Sequence, residues 1–141
     1  MNDEEHLRSF EDQSLPQEQW NHRAHLKVAY LYLLRYPYAE ALERLRAGIK
    51  AYNAAQGILD TPTGGYHETM TQVWLQLVYT TLRQFGPAAS AEAFFEAQTQ
   101  LQSKRTPLLF YSRERIMSAE AKGAFVAPDL AALPVAVGNN A

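Results

Sequence analysis

The chain has 141 residues, 13 Lys+Arg against 15 Asp+Glu, a formal net charge of -2, 47% apolar residues and no cysteine. That length and balance fit one globular domain, without the cationic surplus that non-specific nucleic-acid binding needs. Lack of cysteine excludes disulfide scaffolds, thiolate metal sites and thiol nucleophiles, so any metal must be held by His, Asp, Glu or neutral oxygens.

Proline and glycine divide the sequence into about five helical segments, and the expectation is an all-α, single-domain bundle. Residues 1–13 read as a polar N-terminal arm, 14–126 as the helical domain and 127–141 as an extended C-terminal tail. Ser14, followed by Pro16 and Gln17, resembles a helix start, with Ser as cap and Gln three residues on. The helix it opens is expected to end at Tyr36, before Pro37. A second helix is expected over about 38–56, with Leu42, Leu45, Ile49 and Tyr52 on one stripe and Gly57 as its stop. A loop follows to Gly65. A third helix over about 66–85 ends at Gly86-Pro87. Ser90 caps a fourth to about Gln102, and Ser112 a fifth to about Lys122. No alternating strand or internal repeat is present. The acidic start, Met1 to Glu5, lacks the basic and apolar regions of a signal peptide. No apolar run approaches the roughly 18 residues that span a bilayer. A cytoplasmic protein with no nucleic-acid or membrane partner is the expectation.

The four histidines are the natural candidates for chemistry. On a helical wheel, His22 and His25 both fall on the first helix's inward stripe, with Leu26 and Ala29. Glu18 lies on the same row, at i, i+4, i+7. His67 falls on the third helix's core stripe with Trp74 and Val78. Short connections make successive helices antiparallel. Counting rise from the 36/37 break then sets His22 level with Tyr52 and Asn53, His25 near Lys50, and His67 near His22. His6, in the polar arm, reads as incidental.

Three inward histidines at one level need hydrogen-bond acceptors or a cation that takes their lone pairs. His22, His25 and His67 are therefore the expected ligands of one divalent ion, with an open position of catalytic type. Imidazole-rich ligation favours Zn, Fe, Mn or Ni. Glu68 or Glu18 would act as acid/base beside the metal, or serve as a fourth ligand. Both also sit in first turns, where acidic side chains suit the helix dipole. Tyr66, Asn53 and Arg113 are candidate substrate contacts. Tyr52 is a further candidate lining residue, whereas Trp20, Trp74, Phe94 and Phe95 read as core. Gly64-Gly65 lacks the Lys-Ser/Thr and the preceding strand of a P-loop.

The blocks Trp20-Asn21-His22-Arg23-Ala24-His25-Leu26 and Gly65-Tyr66-His67-Glu68-Thr69-Met70-Thr71 resemble an uncharacterised family of small bacterial helical proteins carrying W-x-H-x-x-H-L and G-Y-H-E-T-x-T. The resemblance spans about residue 18 to the Pro128-Asp129-Leu130 tail and implies no particular activity. The late His-x-x-x-His pair of DinB-like bundles, the His-Asp dipeptide of HD hydrolases and the paired Glu-x-x-His of ferritin-like sites are all missing.

Three functions compete at this stage. The leading one is a small metal-dependent enzyme acting on a small-molecule substrate through the three-His site. The alternative is a non-enzymatic interaction or homodimerisation module whose histidines are hydrogen-bonded core residues. A metal-free acid/base enzyme using His67 and Glu68 is the third.

Overall fold

The computed structural model describes residues 1–135, and its described residues are all-helical apart from a single Thr61–Gly64 bridge. Seven α-helices are present among them: α1 (Asp3–Glu11), α2 (His22–Arg35), α3 (Tyr38–Ala55), α4 (Glu68–Phe85), α5 (Ala91–Ala97), α6 (Arg113–Ile116) and α7 (Ala119–Gly123). Five are seven residues or longer, the expected number of principal helices, and α3 and α4 lie close to the expected spans.

The chain's start is the first departure. Residues 2–11 are not an arm but a capped helix. Asn2 Oδ1 accepts the Glu5 N–H at 2.8 Å while Glu5 Oε1 accepts the Asn2 N–H at 3.1 Å, a reciprocal capping box. This helix buries Leu7 and Phe10 fully. The Phe10 ring lies against the α3 backbone at Gly48, where a Cβ would come within 2.7 Å of it. His6 is also buried, and its Nε2–H donates to the Ala24 carbonyl at 3.2 Å, tying α1 to the start of α2.

The second departure is where the long helix begins. Pro16 leads a short 3-10 turn (Gln17–Gln19), and Asn21, not Ser14, is the N-cap, its Oδ1 accepting the Ala24 N–H at 2.9 Å. From there α2 runs through the centre of the molecule against α1, α3, α4 and α5, burying Leu26, Val28, Ala29, Tyr30, Leu31 and Tyr32. Apolar residues on nearly every side of a helix are what full burial requires.

The stops follow the expectation: Gly57 (φ 71°) and Gly86 (φ 79°) take the left-handed backbone after α3 and α4. Ser90 and Ser112 are N-caps as read, accepting the Ala93 and Arg115 N–H groups. The two C-terminal helices are shorter than expected. α5 gives way to 3-10 turns at Thr99–Leu101 and Thr106–Leu109, and the segment after Ser112 splits where Ser118 caps α7. From Ala124 to residue 135 the chain is non-helical but fastened: Tyr111 donates to the Val126 carbonyl at 2.6 Å, and Asp129 accepts the Ser112 N–H at 2.8 Å. The part of the expected tail at 136–141 lies outside the described residues.

Candidate functional site

A cavity of about 470 Å³ opens between α2, α3 and α4, bordered by Ile58 and Gly65 to His67 of the 58–67 loop and by Lys104. Its size is that of small-molecule sites. His22, His25 and His67 all line it, as do Asn53 and Tyr66. The convergence expected from wheel and level arithmetic is thus a convergence on one cavity. Glu18, Glu68 and Arg113 are not in the lining. Glu18 and Arg113 are exposed, and Tyr52 is fully buried with its hydroxyl donating to the Leu15 carbonyl at 2.7 Å.

The three cavity histidines do different jobs. His67 is the N-cap of α4 rather than a first-turn residue. Its Nδ1 accepts the Met70 N–H at 3.0 Å, which leaves the proton on Nε2, and Nε2–H donates to the Ile116 carbonyl at 2.8 Å. Both ring nitrogens are therefore used, and the ring staples α6 to α4. His22 donates Nε2–H to the Leu101 carbonyl at 3.2 Å and meets Trp74 edge-on at 4.5 Å, stapling the 101–106 stretch to α2. Desolvation is the main reason both rings sit below their ordinary pKa.

His25 is different. Its ring stacks on Trp20 with centroids 3.7 Å apart, and neither nitrogen has a hydrogen-bond partner among the described residues. Burial, with smaller contributions from His22 and Lys104, pushes its pKa down to about 3. At neutral pH it is an uncharged imidazole with one donor and one acceptor in reserve. Trp20 in turn stacks on Phe10 at 4.8 Å, so α1 backs the cavity wall. The Asn53 side-chain amide, also in the lining, has no partner among the described residues either.

The remaining walls are Leu26, Ala29, Leu45, Ile49, Ile58, Met70 and Trp74, largely apolar and aromatic. Trp20 and Trp74, expected as core, belong to this lining, whereas Phe94 and Phe95 are core as read. Lys104 was not singled out by the sequence: it sits in a polar run, and nothing local marks it.

Glu68 belongs to a separate constellation just outside the cavity. Arg46 grips it with two bonds, Nε to Oε1 at 2.9 Å and Nη2 to Oε2 at 2.6 Å. The Tyr66 hydroxyl donates to Oε1 at 2.7 Å and the Gln72 amide to Oε2 at 2.6 Å. Four donors, Arg46 foremost, hold the carboxyl at about 2. A carboxylate so stabilised is a poor general base, and Glu68 acts as the clamp joining α3 to α4. The loop before it is fixed by Gly65 (φ 84°), where a Cβ would lie 2.7 Å from Asp60 Cα. Lys122 further ties that loop down, donating to the Tyr66 carbonyl at 2.8 Å and to Asp60.

The expected metal centre does not follow from this arrangement. His67 has no lone pair to give while it caps α4, and among the described residues no three His, Asp or Glu side chains are grouped so as to hold a metal ion. At His67 backbone groups at helix and loop ends take both imidazole nitrogens, and at His22 the Leu101 carbonyl takes one. No helix of the described residues is long and apolar enough to cross a membrane. Comparison with protein-family models, curated proteins and solved structures gives no match to this chain.

Proposed function

We propose that this protein binds a small, mostly apolar organic molecule in the α2–α3–α4 cavity, anchoring it through the neutral imidazole of His25 and the amide of Asn53. The single observation that carries the reading is His25: a half-buried ring, fixed by stacking on Trp20, whose two nitrogens have no partner among the described residues and stay open to the cavity it lines. Every side-chain polar atom closed off from water is hydrogen-bonded among the described residues, whereas the His25 nitrogens are not. A polar group left facing an apolar cavity of ligand size is the usual arrangement of a binding site with few convergent polar groups. A histidine kept only for packing would have found an acceptor, as His6, His22 and His67 did.

The test uses indole-3-acetamide, a flat apolar probe with a neutral amide, followed by calorimetry and saturation-transfer NMR. A Kd of about 1 mM or tighter is expected for a ligand of that size. His25→Phe keeps the stack on Trp20, removes both hydrogen-bonding atoms, and should weaken the probe about fivefold or more. No binding up to the probe's solubility, or equal binding by the variant, contradicts the proposal.

A further inference from the structure

The charges around the cavity are one-sided. No Asp or Glu is among its lining residues, and its one permanently charged side chain is Lys104 at the rim. Three other cations near the cavity are engaged, while Arg105, next to Lys104 in the chain, is exposed and outside the lining. Arg46 is held by Glu68 and Glu43, Lys122 by Asp60, and Lys50 lies over the Tyr66 ring at 5.0 Å. Lys104 has no carboxylate, hydrogen bond or ring partner among the described residues.

Its backbone is nonetheless well placed. His22 holds the preceding turn to α2 through the Leu101 carbonyl, Gln102 donates to the Phe95 carbonyl at 2.9 Å, and Thr106 donates to the Gln100 carbonyl at 3.1 Å. The ammonium acts on the cavity rings, since Lys104 is among the charges that disfavour protonation of both His22 and His25. An unpaired cation on a fixed rim, above apolar walls without a counter-charge, attracts an anion and repels an amine.

We infer that the molecule bound in this cavity is an organic anion, an aromatic or apolar body bearing a carboxylate, with Lys104 meeting the charged group at the rim. The body fills the space between Trp20, Trp74 and the aliphatic walls. His25 and Asn53 serve any neutral polar atoms further in. Lys104 is in this account the residue that selects by charge, and the inference rests on the cavity being a binding site.

Three probes of nearly equal shape separate the two ideas: indole-3-acetate, indole-3-acetamide and tryptamine, titrated calorimetrically at pH 7 and low salt. The acetate should bind about tenfold more tightly than the amide, as charge-assisted bonds exceed neutral ones, and tryptamine should bind weakest. Lys104→Gln should bring the acetate down to the amide's affinity while changing the amide less than twofold, and Lys104→Arg should keep the acetate's advantage. Acetate and amide binding equally to the unmodified protein overturns the inference and leaves the cavity reading intact. Equal loss of all three probes in Lys104→Gln also overturns it, because Lys104 would then act on the fold. If none of the three binds, both readings fall.

Discussion

The cavity and the clamp share the Gly65–Thr71 block yet treat polar groups in opposite ways. In the clamp, Glu68 has four donors within 2.9 Å and Arg46 bonds both of its oxygens. In the cavity, 3.7 Å from Trp20, the His25 ring makes no hydrogen bond to any described residue. The clamp is built for stability, every charge answered. The cavity keeps polar capacity in reserve, which is what recognition of another molecule needs. Tyr66 stands on the border, lining the cavity with its ring and closing the clamp with its hydroxyl. A residue's type therefore did not decide its role; its partners did.

Substitutions should separate these regions. The largest loss should come from Phe10→Ala, which empties a fully buried site behind Trp20. We expect about 3–5 kcal/mol by denaturant unfolding, together with weaker probe binding; a loss below about 1 kcal/mol would mean that α1 does not support the cavity wall. Next is Glu68→Gln, at about 3 kcal/mol near pH 7, the size implied by a carboxyl drawn from 4.5 to about 2. Because the folded pKa is depressed, that stability is complete above pH 4.5 and disappears as pH falls toward 2. Melting curves of the two proteins should therefore converge in acid, and a gap that stays constant with pH contradicts the clamp. His67→Ala removes a cap and a bond to the Ile116 carbonyl, an effect of about 1–2 kcal/mol, with loosening of α6 visible by hydrogen exchange.

His25→Phe should have the smallest effect on stability at pH 7, within about 1 kcal/mol of zero, and the largest on binding. Its pH dependence is informative. The folded ring stays neutral down to about 3 while the unfolded ring takes a proton near 6.5. Wild-type stability therefore drops as pH falls below 6.5, by up to about 1.4 kcal/mol per pH unit from this residue. The variant lacks that contribution and should gain on the wild type between pH 6.5 and 4. Parallel pH profiles would show that His25 is not desolvated.

Much of this was legible from the sequence, and the limits have physical causes. Helical periodicity placed His22 and His25 on one face, and rise per residue brought His67 and Asn53 to their level, because an α-helix is regular once begun. Where it begins is set by a single cap. Reading His67 as first-turn instead of N-cap misjudged its chemistry, since one residue's shift turns its Nδ1 onto the Met70 N–H. The helix at the chain's start was overlooked because Leu7 and Phe10 are its only large apolar residues after Met1, although its Asn2–Glu5 capping pair was in plain view. Glu68's partner lies 22 residues away on another helix, and Lys104 reaches the cavity only through tertiary packing. Neither relation has a local signature.

The most direct measurement is long-range 15N–1H NMR of the four imidazoles during titration with indole-3-acetate. The account predicts that the His25 ring nitrogens shift strongly and saturate with the probe, and that His6, outside the cavity, stays in place. Unmoved His25 signals at millimolar probe, or equal shifts at His6 and His25, would contradict it.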